Sequence, residues 1–213
     1  MPGYLRINNL NQKIIIDEDV GKGKTARIVK VKLTDPALIS ISKGFEYVAI
    51  KYIEDRVSRD SFRYEIAIMS MLPVNHPNIV KLIGYSDSPR CLVLKFYETS
   101  LDKLLSQPNF ERSQSNISHI VSDIAKGMKA IHEKEVVHFD LKPQNVLVDV
   151  QSDSTCNYVI CDFGYANFVS DGKRQRVAGM KEPETMGMTI RYAAPEVSYS
   201  SRLQNSLEFL FRC

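Results

Sequence analysis

The segment His138-Phe139-Asp140-Leu141-Lys142-Pro143-Gln144-Asn145 puts a carboxylate, an ammonium and a side-chain amide into a single short loop. In that company Asp140 can accept the proton of an attacking hydroxyl, Lys142 can neutralise charge on a transferring phosphoryl group, and Asn145 can ligate a metal through its amide oxygen. Any one of the three is at home in an ordinary turn or at a helix start; few structural roles need the whole set. Downstream, Asp162-Phe163-Gly164 follows the strand-like Tyr158-Val159-Ile160-Cys161, so a carboxylate stands at a strand end, where magnesium would find a hard oxygen ligand. Upstream, Lys51 closes the run Val48-Ala49-Ile50-Lys51, and Glu65 follows on a predicted helix, where an ion pair could aim the ammonium at phosphate oxygens. Two separately solvated charges are the plainer meaning of that pair. Gly21-Lys22-Gly23, between two strand-like runs, could wrap backbone amides around phosphate because glycine brings no Cβ into the way. Taken alone, a Gly-x-Gly pair is more often just a hairpin turn.

These residues need elements to position them. Residues 13–51 are rich in β-branched side chains and broken by Gly21, Gly23 and Thr34-Asp35-Pro36, which reads as strands joined by turns. From Ser58 to Leu72 the apolar Phe62, Ile66, Met69 and Leu72 recur at helical spacing, and Pro73 and Pro77 stop the helix. Strand composition returns over 79–97, in Ile79-Val80-Lys81-Leu82-Ile83 and Cys91-Leu92-Val93-Leu94, with a turn at Asp87-Ser88-Pro89-Arg90. Beyond Ser100 the texture changes, and Ile117, Ile120, Val121, Ile124, Met128 and Ile131 mark a long amphipathic helix. A β-rich half is therefore followed by a helical one, with a boundary near Lys95 to Glu98 and no internal repeat.

The bulk properties agree with a folded globular chain: 213 residues, 44% hydrophobic and 25% charged. The formal charge of +3 is too slight and too scattered to argue for nucleic acid or an anionic membrane as a partner. Cys91, Cys156, Cys161 and Cys213 show no paired spacing, and the N-terminus lacks the apolar segment of a secretory signal, which fits a reduced cytoplasmic or nuclear setting. The longest apolar runs, such as Ile14-Ile15-Ile16 and Val146-Leu147-Val148, fall far short of a bilayer span.

In their order, the motifs make the chain resemble a eukaryotic protein kinase domain of the serine/threonine type, from about residue 15 to Glu196. The resemblance implies an α+β, two-lobe protein-kinase-like fold. Residues 1–97 would form a β-rich N-lobe with one main helix and the hinge, and residues 98–213 an incomplete helical C-lobe whose residues 197–213 are an atypical tail. It also implies ATP and Mg2+ as cofactors and a protein carrying serine or threonine as substrate. By the same likeness Asp140 is the catalytic base, Lys142 its companion, Lys51 the phosphate-binding lysine and Glu65 its helix partner, while Asn145 and Asp162 are the magnesium ligands. Gly21, Gly23, Ile28, Ala49, Lys51, Leu94, Lys95, Tyr97 and Leu147 become nucleotide-binding positions, with Leu94 as gatekeeper, Lys95 to Tyr97 as hinge, and Ala49 and Leu147 on either side of the adenine ring. Ala194-Pro195-Glu196 resembles the end of the activation segment, and Lys142 together with Thr189 resembles the serine/threonine-specific branch. The run His76-Pro77-Asn78-Ile79-Val80-Lys81-Leu82 is similar to tyrosine-kinase-like members.

Three departures from the family pattern carry expectations of their own. Ala26 stands where a third glycine is usual, with Thr25 at the loop tip; a negative φ there would cost nothing, a positive one roughly 1 kcal/mol and looser phosphate capping. Phe139 replaces the arginine that precedes the base and pairs with a phosphorylated activation loop, so activity without loop phosphorylation is expected. The chain ends soon after Glu196, where the family continues with buried helices, so a fragment of marginal stability is expected. Leu203, Leu207, Leu210 and Phe211, with Glu208 four residues before Arg212, have the spacing of a short helix there. That shortfall keeps open a second class of function, a catalytically weak or silent kinase-like module that binds partners.

Overall fold

The computed structural model describes residues 5–7, 10, 14–23, 25–42, 44–151, 153, 155–170, 173–174 and 189–192. Ala194-Pro195-Glu196, residues 175–188 and the tail from 197 to 213 lie outside the described residues.

In chain order the elements are β1 (Leu5–Arg6), β2 (Ile14–Lys22), β3 (Ala26–Leu33), α1 (Pro36–Ile41), β4 (Tyr47–Ile53), α2 (Arg59–Met71), β5 (Leu82–Asp87), β6 (Arg90–Lys95), β7 (Thr99–Ser100), α3 (Leu101–Leu105), α4 (Gln114–His132), β8 (Val136–Val137), β9 (Val146–Val150), β10 (Cys156–Ile160), β11 (Asn167–Ser170) and β12 (Lys173–Arg174). A six-stranded sheet in the order β1-β5-β6-β4-β3-β2 forms the N-lobe, antiparallel except where β1 lies parallel to β5. Two three-stranded sheets, β10-β9-β7 and β12-β11-β8, belong with the helices of the other lobe. The expected α+β, two-lobe kinase fold is the observed one.

Strand alternation explains how the large sheet presents its chemistry. Successive side chains point to opposite faces, so Val48 and Ile50 of β4, Val29 and Val31 of β3, and Cys91 and Val93 of β6 bury themselves in one core on the first face. Ile53, Leu92 and Leu82 fall on the second face, in a core that also takes in α2, α4 and β10. Ala49 and Lys51 share that second face. The hairpin turn at Asp87 to Arg90 falls where its residues predict it.

Helix α2 starts at Ser58, whose Oγ accepts a hydrogen bond from the Ser61 amide at 3.0 Å and so satisfies one of the free donors of the first turn. Phe62, Ile66 and Met69, with Leu72 just past the helix end, are buried as their spacing predicts. Tyr64 and Ile68 are buried as well, so the helix is enclosed on more than one side. Thr34-Asp35-Pro36 is a helix start rather than a plain turn: Asp35 Oδ1 accepts the Ala37 amide at 2.8 Å and α1 follows.

Helix α4 corrects the sequence expectation about its inner face. Ile117 and Val121 are exposed, 38% and 60%, while the buried stripe runs through Ile120, Asp123, Gly127, Ala130 and Ile131. Two polar or small residues replace the apolar ones because α4 docks on backbone. Asp123 Oδ2 accepts the Tyr158 amide at 3.2 Å, and a Cβ on Gly127 would stand 2.7 Å from the Asn78 carbonyl oxygen and 2.8 Å from Ile160 Cδ1. The same segment is laced to β10, by Ile160 N to Asn78 O at 2.9 Å and Val80 N to Ile160 O at 2.8 Å.

Alanine is the better helix former by about 1 kcal/mol, yet Gly127→Ala is expected to lose stability, because crowding a packed interior costs about 1–3 kcal/mol and the neighbour here is backbone. A urea midpoint that stays level or rises in that variant would show that α4 does not sit this close.

Candidate active site

Lys51 reaches the second face of β4 and is buried, its side chain 8% exposed. Its Nζ donates to Glu65 Oε1 at 2.8 Å and to Asp162 Oδ1 at 2.6 Å, so three elements far apart in sequence meet at one ammonium. Helix α2 delivers Glu65, itself buried, and the turn after β10 delivers Asp162 at a φ of 64°, in the left-handed region that aspartate tolerates better than most residues. Phe163 packs beneath, 1% exposed, with its ring tilted against His138 at 5.1 Å between centroids.

Around this bridge lies a cleft of about 230 Å³. Of the positions expected to bind nucleotide, Gly23, Ile28, Ala49, Lys51, Leu94, Lys95, Tyr97 and Leu147 line it, together with Glu65, Asn145 and Asp162. Gly21 is not in the lining and pairs with Ile28 across β2 and β3. Ala26 opens strand β3 with its φ outside the left-handed region, and its carbonyl accepts the Gly23 amide at 2.8 Å, so the methyl in place of a third glycine carries no backbone strain. Lys95 adds a tie between the two lobes, donating to Asp149 Oδ1 and Oδ2 at 2.8 and 2.7 Å.

Asp140 and Lys142 sit beside the cleft rather than in its lining, and Asn145 joins them to it. Asn145 Nδ2 donates to the Asp140 carbonyl at 2.8 Å and to Asp140 Oδ2 at 3.1 Å, which fixes the amide and leaves Oδ1 as its acceptor. The Asn145 carbonyl in turn accepts the Cys161 amide at 2.9 Å, one residue before Asp162. Lys142 Nζ bridges Asp140 Oδ2 at 2.6 Å and Thr189 Oγ1 at 2.8 Å, and Thr189 donates its amide and hydroxyl to Asp140 Oδ1 at 2.9 and 2.7 Å. His138 supports the loop from behind: Nδ1 accepts the Asp140 amide at 3.3 Å, and Nε2 donates to the Cys161 carbonyl at 2.9 Å.

The electrostatics follow from burial and from these partners. Burial alone would push the Lys51 pKa down, but the Asp162 and Glu65 carboxylates outweigh it and hold the ammonium firmly charged. The nearby Lys51 charge holds Asp162 below the usual carboxylate range, against the effect of burial. Burial pushes Glu65 the other way, upward, with Lys51 offsetting part of it. Burial also raises the Cys161 thiol and lowers His138.

Sequence spacing missed several residues of the cleft. Met69 and Val80 read as helix and strand core but form part of the lining, as do Val20, Gln144 and Cys161. Thr189 has a signal in the sequence only as a branch marker, whereas here it is bonded directly to Asp140 and Lys142.

Comparison with known proteins decides the family. The profile described as the protein kinase domain matches residues 14–208. The chain belongs to the protein kinase domain family. This kinase domain is 29% identical over 193 residues to a probable serine/threonine-protein kinase of Dictyostelium discoideum, covering 86% of the chain and 13% of that protein. It is 37% identical over 158 residues to leaf rust 10 disease-resistance locus receptor-like protein kinase-like 2.1 of Arabidopsis thaliana, covering 70% of the chain and 23% of the relative. It is also 37% identical over 165 residues to tyrosine-protein kinase hopscotch of Drosophila melanogaster, covering 75% and 13%. The chain thus spans less than a quarter of the length of each of these curated relatives. Among the described residues no helix is long and apolar enough to cross a membrane, and Cys91, Cys156 and Cys161 are free thiols.

The folded kinase domain holds His138 neutral below its ordinary pKa of 6.5, where the unfolded chain would take up a proton. The unfolded state therefore binds more protons just below that pH, and stability falls as pH drops from about 6.5 towards the lowered folded value. His76 is lowered too, so His138→Gln should flatten the dependence of melting temperature on pH without abolishing it. Parallel pH profiles for the two proteins would remove His138 as a titrating contributor.

Proposed function

We propose that this kinase domain binds magnesium ATP in the cleft and transfers the γ-phosphoryl group to a serine or threonine hydroxyl on a protein. One observation carries the reading: Lys51, Asp162, Asn145, Asp140 and Lys142 form a continuous hydrogen-bonded chain, linked through the Cys161 backbone, from the cleft to a carboxylate at its edge.

The donor set fits magnesium. This ion prefers octahedral oxygen coordination, keeps several waters and takes one or two protein ligands plus substrate phosphates. The Asp162 carboxylate and the Asn145 amide oxygen supply two such ligands in the cleft that also holds Lys51, and among the described residues there is no cage of three acidic, histidine or cysteine side chains. When bound, the ion would neutralise charge on the phosphates. Lys51 is aimed by Glu65 and Asp162 and would contact phosphate oxygens as a fixed cation. Ala49 and Leu147 would enclose the adenine ring, with Leu94 behind and Lys95 to Tyr97 along its edge.

Asp140 would receive the hydroxyl proton of the acceptor, and Lys142 would neutralise charge on the phosphoryl group in transit. Four donors, two from Thr189 and one each from Lys142 and Asn145, hold the Asp140 carboxylate in one orientation. An aliphatic hydroxyl, that of Thr189, already donates to Oδ1 at 2.7 Å, the contact a serine or threonine acceptor would have to make. The naming of the Dictyostelium relative as a probable serine/threonine-protein kinase supports the same acceptor class. Because the Drosophila relative is named a tyrosine-protein kinase, serine, threonine and tyrosine peptides belong in one assay.

Asp140→Asn is expected to lower peptide phosphorylation roughly a hundredfold or more while nucleotide affinity stays the same. Full transfer in that variant would defeat the assignment of Asp140. Nucleotide binding with no transfer by either protein would favour the silent binding module.

A further inference from the structure

The exposed side of α2 carries a concentration of positive charge that the nucleotide cleft does not use. Arg59 and Arg63 stand one turn apart there, and with Phe62, Arg90 of β6, Arg6 of β1 and Asp87 of β5 they line a small cavity of about 110 Å³. Four guanidinium groups thus meet a single carboxylate in the lining, and that carboxylate is engaged by Arg6 at 2.9 Å. Arg90 is pre-set: its side chain is 15% exposed and held by the Val57 carbonyl and by the carbonyl and carboxylate of the solvent-exposed Asp55. Among the described residues, neither the Arg59 nor the Arg63 guanidinium has a hydrogen-bond or ion-pair partner.

Like charges gathered around one concavity repel, and the repulsion turns into attraction when an anion enters. Guanidinium is the side chain whose planar fork suits phosphate and carboxylate oxygens. A carboxylate has two oxygens and is satisfied by one fork. Here donors converge from two elements, Arg59 and Arg63 from the helix and Arg90 from the hairpin, an arrangement matched by the three free oxygens of a phosphate monoester. With the chain's net charge only +3, the feature is a local pocket rather than a nucleic-acid track.

We propose that this cavity is a binding site for a phosphate monoester dianion carried on a phosphorylated serine or threonine of a protein segment. The inference does not depend on the nucleotide reading of the cleft. A phosphoryl group spanning Arg63 and Arg90 would tie α2 to the β5–β6 hairpin, and α2 carries Glu65 two residues beyond Arg63.

The test titrates the full chain with a labelled phosphoserine peptide, the same peptide with glutamate in place of phosphoserine, and inorganic phosphate as competitor. Saturable binding of the phosphopeptide, competed by inorganic phosphate, is expected. The glutamate peptide should bind about tenfold more weakly or worse, and Arg59→Ala/Arg63→Ala should lower phosphopeptide affinity by about tenfold or more, with Arg59→Lys/Arg63→Lys in between. Both arginines are exposed, so the fold is kept, and nucleotide affinity measured on the same double variant should not change. Absence of saturable binding, equal affinity in the alanine double variant, or equal binding of the glutamate peptide would overturn the proposal. So would loss of phosphopeptide binding in Lys51→Met, which would put the phosphate in the cleft instead.

Discussion

A buried ammonium must be neutralised where it sits, and most of the architecture can be understood as the means of bringing two carboxylates to Lys51. Desolvating that charge alone would cost several kcal/mol, and the side chain is only 8% exposed. Glu65 and Asp162 together supply the compensation, at 2.8 and 2.6 Å. Neither is near Lys51 in sequence, so the bridge exists only if α2 lies across the sheet and the turn after β10 comes up beneath it. Displacing either element would leave a buried charge with half its compensation, which makes the position of α2 and the state of the cleft one variable rather than two.

Both carriers are fixed by contacts outside the cleft. Tyr64, next to Glu65, donates its hydroxyl to Asn167 Oδ1, a bond between two buried side chains that pins α2 to β11 just beyond Asp162-Phe163-Gly164. Edge-to-face packing of Tyr64 on Phe168, 5.9 Å between centroids, reinforces the same junction. The edge of β10 that faces away from β9 is held by the backbone of Asn78 and Val80 and by Asp123 of α4. Since α2, α4, β10 and Phe163 contribute to one continuous core, the two lobes meet through shared packing as well as through the hinge.

How much of this the sequence could disclose depends on whether a feature is local. Ser58 followed by Phe62, Ile66 and Met69 announces α2 because capping and helical periodicity are near-neighbour effects, and the β-branched run from Val48 announces a strand for the same reason. Asp140, Lys142, Asn145 and Asp162 stand out because their types have no shared structural purpose. Other features depend on contacts between distant segments. Asp123 and Gly127 look like defects in an apolar stripe until the Tyr158 amide and the Asn78 carbonyl are seen against them. Lys95 reads from the sequence as a hinge position, but its clamp onto Asp149, more than fifty residues on, shows only in the fold. Arg6, Arg59 and Arg90 come from three separate elements, so no window along the chain could gather them. The short helix α1 was hidden by a different ambiguity, because aspartate before proline suits both a turn and a helix start.

The backbone around the candidate base shows where rigidity outweighs local comfort. Glu135, Phe139 and Asp162 adopt φ values of 55°, 60° and 64°, a region that costs a non-glycine residue roughly 1–2 kcal/mol. Aspartate bears this best of the three types, and Asp162 is further held by the Lys51 charge. Phe139 has neither advantage, and such strain persists only where the surroundings over-determine it. His138 supplies that determination from the preceding residue, with one ring nitrogen accepting the Asp140 amide and the other donating to the Cys161 carbonyl. Because a neutral imidazole is required to accept and donate at once, the burial that lowers the His138 pKa also preserves the bonds that hold the strained turn. A freely turning residue at 139 would remove the strain and with it the constraint on where the Asp140 carboxylate points, so the residue that replaces the usual arginine is tolerated through the backbone geometry that its neighbours impose.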